Sequence, residues 1–173
     1  MIKQYSHFEF GELLARNIKA ISHTDQNKRF FRATESEELE ELTERATAVK
    51  SGFILVAIDG NNADYGYKNS DNLMERPQYF FQILKNTTST NSATIFEAQT
   101  ECKKIAKQII AAMTSRSKGY YESPLQFLEK DSITIRGIGP ILDNWYGVIM
   151  GFNLNYGLAL QINTDEWNEL PVY

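Results

Sequence analysis

Three observations predict an α+β fold built on a mostly antiparallel sheet. Apolar runs of strand length outnumber helical stretches, strands follow one another in groups, and one long amphipathic helix stands between those groups. The expectation is a sheet of about four to five strands. One long helix over 94–114 and an N-terminal helix over 7–22 pack against it, in a single α+β domain spanning 1–173. The acidic segment 35–44 and the first helix are its peripheral elements.

The first helix is announced by Ser6-His7-Phe8-Glu9, a capping box in which Ser6 is the N-cap and Glu9 reaches back to it. Phe10, Leu13, Leu14, Ile18 and Ile21 then recur at helical spacing, and Gly11 among them costs about 1 kcal/mol against Ala. The polar run His23–Asn27 stops the helix, and Phe30-Phe31 is expected to anchor the connection that follows. Residues 35–44 hold six Glu with Leu39 and Leu42 between them, which makes a narrow apolar seam. A solvated surface helix is the ordinary reading of that composition; a docking patch for a basic neighbour is the sharper one.

Phe53–Ile58 is a continuous apolar run, as expected of a central strand covered on both faces. The stretch 59–76, rich in Asp, Asn, Gly and Tyr, is expected to be a long functional loop. Pro77 restarts the chain and Tyr79–Leu84 makes the next strand. Ile95, Ala98, Cys102, Ile105, Ile109 and Met113 form one face of the long helix, with Thr94 as its N-cap and Glu97 three residues on. Lys103, Lys104 and Lys107 lie toward its C-terminal half, where they suit the helix dipole. Ser132–Arg136 alternates as a strand that Gly137-Ile138-Gly139-Pro140 breaks. From Trp145 to Tyr156 a longer strand alternates again, and Gly147 and Gly151 flatten one of its faces for a close neighbour. Asp165-Glu166-Trp167 opens a final turn, with Trp167 as an anchor.

Composition excludes several classes of function. With 42% hydrophobic and 23% charged residues, 10 Phe and 9 Tyr, the chain is globular rather than disordered. A single cysteine forbids an intrachain disulfide, and two histidines with one cysteine do not build a zinc site. No apolar run approaches the ~20 residues of a membrane span, and the first six residues lack the apolar core of a signal peptide, so an intracellular product is expected. The net charge of −4 is unevenly spread: residues 77–118 carry +4, while 31–50 carry −3 and 119–173 carry −5. A dedicated nucleic-acid binder would concentrate base on one face. Complementary blocks suit a protein that meets copies of itself.

Catalytic signatures are weak. Asp59-Gly60-Asn61-Asn62-Ala63-Asp64 resembles a calcium loop only until its fifth, sixth and twelfth positions, which are Ala63, Asp64 and Ser70. Gly137-Ile138-Gly139-Pro140 lacks the third glycine and the following helix of a phosphate loop. No nucleophile elbow or metalloprotease motif occurs, and His7 and His23, on one helix, are expected as surface or packing residues. No catalytic residue, cofactor or metal is expected.

The run Gly139-Pro140-Ile141-Leu142-Asp143-Asn144-Trp145-Tyr146-Gly147, the alternating strand after it and the Asp165-Glu166-Trp167 close resemble a family of small phage proteins. Lys28-Arg29-Phe30-Phe31-Arg32, Ser70-Asp71-Asn72-Leu73 and the helix at 94–114 also match. The family comprises the tail-terminator, tail-completion and neck (head–tail connector) ring proteins of phages infecting Bacteroidetes. The resemblance runs from about residue 7 to 167; the chain departs from it in the Glu-rich 35–44 and in the loop at 61–69. It implies a non-enzymatic virion component, located in the neck or tail and assembled in the host cytoplasm. Such proteins form six- or twelve-fold rings that join portal or capsid to tail, contact portal, neck or tail-tube proteins, and leave a lumen through which DNA passes without specific binding.

Head-to-tail rings need two complementary surfaces on each copy. Glu37, Glu38, Glu40 and Glu41 against Lys103, Lys104 and Lys107 form one such pair, and Tyr65, Tyr67 and Asn69 are expected to contact a neighbour. Two other classes stay open: a protein-binding module of host or phage that uses the 59–76 loop, and a small enzyme built on Asp59, Asp64 and Asp71.

Overall fold

The computed structural model describes residues 5–34, 49, 51–67, 73–87, 91–117, 123–141, 144–158 and 164–166. Among these residues it is an α+β fold in which helices pack against a seven-stranded mixed sheet. The order is α1 (His7–Asn17), β1 (Phe30–Ala33), β2 (Phe53–Ile58), β3 (Ala63–Tyr67), β4 (Leu73–Asn86), α2 (Ser92–Ser117), β5 (Leu128–Ile141), β6 (Trp145–Leu154) and β7 (Tyr156–Gly157). Short 3-10 turns lie at Pro124–Phe127 and Thr164–Glu166. The strands run β1-β2-β4-β6-β5 across the sheet, and β3 and β7 flank the first half of β4. Among the described residues, only β1 and β2 pair in parallel.

Ser6 caps α1 as expected, its Oγ accepting the Glu9 N–H at 3.4 Å. The helix stops at Asn17 rather than at 22. Ile18 N–H still returns to Leu14 O at 2.8 Å, but Ser22 then turns left-handed at φ 52° and His23 N–H closes onto Ala15 O. Ile21 therefore reaches full burial from a turn, not from a helical face. Gly11 lets the helix lie close to the sheet, because a Cβ there would come 2.8 Å from Phe30 and 3.1 Å from Ala57.

Phe30 and Phe31 form a strand rather than an anchor in a connection. β1 pairs in parallel with β2, and the alternation sends Phe30 to the helix-covered core and Phe31 to the cluster on the opposite face. β2 meets the expectation of a buried central strand, lying between β1 and β4. The acidic segment 35–44 falls outside the described residues.

The expected loop at 59–76 contains paired strand instead. Ala63–Tyr67 pairs antiparallel with Leu73–Pro77, and β4 continues unbroken to Asn86. Pro77, expected to restart the chain, lies inside β4 opposite Ala63. It ends the β3 pairing, and the neighbouring Gln78 N–H supplies the bond to Asn62 O at 2.9 Å. The left-handed Asn61, at φ 53°, with Asp59 Oδ1 accepting its N–H, is the turn chemistry expected of the Asp/Asn cluster.

α2 begins at Ser92, two residues before the expected start. Asn91 rather than Thr94 serves its first turn: its Oδ1 accepts Ala93 N–H at 2.9 Å and its carbonyl accepts Ile95 N–H and the Thr94 hydroxyl. Ala98, Cys102, Ile105, Ile109 and Met113 are buried as the stripe predicts. β5 is longer than its alternating centre: register shifts at Glu129/Thr134 and Ile138/Ile141 carry it through the Gly-Pro segment expected to break it. In β6, the close neighbours of the flat face are parts of β4. A Cβ on Gly147 would fall on the Ile83 carbonyl, and one on Gly151 would meet the Phe80 ring. Leu158 extends the β7 ladder to Leu73 O, while the anchor expected at Trp167 lies outside the described residues.

The main core lies between the sheet and helices α1 and α2, with Phe81, Ile83, Met150 and Phe152 at its centre. A smaller cluster on the other face joins Phe31, Ile54, Val56, Leu84, Trp145 and Val49.

Candidate functional site

α2 positions the first candidate surface. Its buried stripe fixes the opposite face outward, and at 100° per residue Phe96, Thr100, Lys103, Lys104, Lys107 and Ala111 fall within one arc. All six are exposed, and Phe96 is 71% accessible. Glu101, the last acidic residue of the helix, is drawn inward by an ion pair with Lys85 of β4. From Cys102 onward the helix carries basic residues and no acidic one. The ion pairs among the described residues join Arg16 to Glu12 and Asp25, Arg32 to Glu12, and Lys85 to Glu101; none includes Lys103, Lys104 or Lys107.

Of the other expected contact residues, Tyr65 lies on β3, 62% exposed, with its hydroxyl donating to Glu75 Oε1 at 3.1 Å. That bond holds the Tyr65 hydroxyl above its ordinary pKa. Tyr67 closes β3 opposite Leu73. Asn69, Glu37, Glu38, Glu40 and Glu41 lie outside the described residues. The structure does not bring Tyr65 and the lysines to one element: the first is on β3, the others on α2.

The candidate carboxylates have structural duties. Asp59 holds the Asn61 turn, and Asp64 Oδ2 accepts Gln78 Nε2–H at 2.8 Å; Asp71 is outside the described residues. Among the described residues, no group of three His, Cys, Asp or Glu could hold a metal ion. Cys102 is buried with its thiol pushed up to about 12 by burial, as an inert core thiol should be.

Both histidines are buried, the packing alternative of the expectation, and only His7 lies on the helix, where both were expected. His7 stacks on Tyr79 and lies beside Phe81; burial pushes it down to about 4, so it is neutral at neutral pH. His23 lies beyond α1, where its Nδ1 accepts the Arg29 N–H at 2.9 Å.

A second polar constellation has no sequence signature. Asp64 of β3 faces Arg76 of β4. The ladders Glu75↔Tyr156 and Gln78↔Asn153 keep one register, which sets Asn155 level with Arg76 on its other side. Arg76 Nε and Asn155 Oδ1 are buried without a hydrogen-bond partner. Nothing in the periodicity of 59–76 reveals this row, because it is assembled by strand register.

Comparison of the chain with protein-family models, curated proteins and solved structures gives no match. Among the described residues, no helix is long and apolar enough to cross a membrane.

Proposed function

We propose that the chain is a structural, non-enzymatic virion protein. It forms an oligomeric ring in the neck or tail of a phage, as a tail terminator or head–tail connector, joins portal or capsid to tail, and leaves a lumen for DNA. The observation that carries this reading is the outward face of α2, where the exposed Phe96 ring continues into three lysines without an ion partner among the described residues. An aromatic exposed on an otherwise well-packed helix, extended by charge, is the composition of a protein contact. The same chain holds its strongest acidic block at 35–44, so one copy offers both signs of a head-to-tail contact. The resemblance of Gly139–Gly147 and of the flanking segments to phage ring proteins supports the same reading.

Native mass spectrometry of the purified protein across salt concentrations tests it. Closed six- or twelve-fold species, alone or with portal and tail-tube proteins, are expected. A chain that stays monomeric beside those partners would overturn the ring.

Tyr65 favours one other reading. A tyrosine 62% exposed on β3, its hydroxyl steadied by Glu75, suits a non-enzymatic binding module that uses the β3–β4 hairpin. A one-to-one complex lost on Tyr65→Ala, with no ring, would select it.

A further inference from the structure

We propose that the outer edge of β5 pairs antiparallel with the same edge of a second copy of this chain, about a two-fold axis at Ile135. The contact is independent of the ring reading and uses neither the α2 lysines nor Tyr65.

Strand register fixes which groups that edge presents. Leu55 N–H and Asp59 N–H go to Arg29 O and Ala33 O, so the odd residues of β2 face β1 and its even residues face β4. The ladders carry this alternation across the sheet: odd residues of β4 face β6, odd residues of β6 face β5, and Thr134, Arg136 and Ile138 face back to β6. The bond from Thr87 N–H to Asn144 O agrees with this phase. Ile133, Ile135 and Gly137 therefore turn their N–H and C=O groups away from the sheet. Among the described residues no strand pairs with that side, and Thr134, Arg136 and Gly137 are exposed.

An unpaired edge is a template for another chain unless it is blunted. The blunting devices of β5 stand at its ends: register shifts at Glu129/Thr134 and Ile138/Ile141, and Pro140. The stretch between them keeps a regular register, and Ile133 and Ile135 pack against the main core, which fixes its orientation.

That stretch is complementary to itself. With the axis at Ile135, Ile135 opposes itself and the branched Ile133 opposes Gly137, which has no side chain to compete, so each outward N–H meets an outward C=O. On the other face Arg136 opposes Thr134, and no like charges meet. An axis at Arg136 would set two guanidinium groups against each other. One at Thr134 would carry Gly137 opposite Asp131, within the irregular start of the strand. An isologous contact requires such a self-match, and the match selects a second copy over a foreign strand.

The test is amide hydrogen exchange of the full chain across protein concentration, with sedimentation equilibrium on the same samples. The expected result is a dimer in which protection of the Ile133, Ile135 and Gly137 amides rises with concentration. The Thr134 and Arg136 amides, which face β6, should be protected throughout. I135P removes an outward N–H and spares the β6 ladder, so association should weaken by about tenfold or more. Arg136 meets Thr134 on both sides of the axis, so T134E should tighten the dimer and T134R loosen it, each by roughly two- to tenfold. Both change an exposed side chain and report the contact even if I135P does not fold. Three outcomes overturn the proposal. Free exchange of the outward amides at every concentration, rings or no rings, would leave the edge to a foreign strand. Protection in a chain that sediments as a monomer would place a segment of the same chain there. I135P associating as tightly as the parent would remove the edge from the contact. Equal association of T134E and T134R would overturn the axis at Ile135.

Discussion

His7 donates its Nε2–H to the carbonyl of Phe80 at 2.8 Å, and its Nδ1 accepts from the Tyr5 hydroxyl at 3.0 Å. The carbonyl can only accept, so it fixes the tautomer, and the Tyr5 hydroxyl must then donate. The first residue of α1 is thereby bonded to the middle of β4. The ring is neutral at neutral pH, because a second proton would reverse the Tyr5 bond and place a charge inside an aromatic cage of Tyr79, Phe81 and Phe152.

Acid should therefore loosen the fold before most carboxylates titrate. His7 ordinarily titrates at 6.5 and is pushed down to about 4 by burial, so between those values the unfolded chain binds the extra proton. Its contribution is complete above about pH 6.5 and is lost as pH falls toward about 4, some ~3 kcal/mol in all. His23, also lowered by burial, acts in the same direction. Urea midpoints at pH 7 and pH 4.5 should show the loss, and His7→Gln should flatten that dependence. An equally steep dependence in the variant would contradict the assignment.

Gly11 is expected to resist a substitution that helix propensity favours. Alanine would gain about 1 kcal/mol within α1. Its Cβ, however, would press on Phe30 at 2.8 Å, Phe81 at 3.0 Å and Ala57 at 3.1 Å, all parts of the packed core. The overpacking should win, for a net loss of about 1–2 kcal/mol in chemical denaturation. A gain in stability would show that the helix can retreat from the sheet.

Gly147→Ala should be worse, costing about 3 kcal/mol or more, because the obstacle is the Ile83 carbonyl in the adjoining strand rather than a mobile side chain. Thermal unfolding would check this, with Gly157→Ala, which meets nothing within 4 Å, as the comparison.

Cys102 should be silent toward thiol reagents in the folded chain. Burial raises its thiol to about 12 and closes access from solvent. Ellman's reagent should register one thiol in denaturant and none in its absence; prompt native labelling would mean that α2 lifts from the sheet.

Reversing Lys103, Lys104 and Lys107 to Glu should abolish the proposed ring assembly while leaving stability within about 0.5 kcal/mol, since all three are exposed. Native mass and denaturation of the same sample separate the two effects. Rings that persist would remove this face from the contact.

What the residue pattern reveals depends on one-sided burial. α2 and β2 are legible because one has an apolar stripe and the other an unbroken apolar run. β3 and the first half of β4 are not, because Asp64, Tyr65, Glu75 and Arg76 form a polar ladder with no core face to mark its period. β1 is only four residues long, and its two adjacent phenylalanines face opposite ways, a pattern that imitates a loop anchor. The lysine face was legible from helical spacing, but its exposed aromatic, Phe96, is not singled out by that spacing. Arg76 and Asn155 are 79 positions apart by number and come level only through register.

β4 belongs at once to the hydrophobic centre and to the polar sheet that carries Tyr65 and Arg76, with no hinge between them. Mechanically it is a beam rather than a flap. A load applied to the outer hairpin passes along a continuous hydrogen-bonded backbone to Phe81 and Ile83, and is shared there by β2 and β6. Anything pulling on that hairpin would have to strain the whole sheet before moving it.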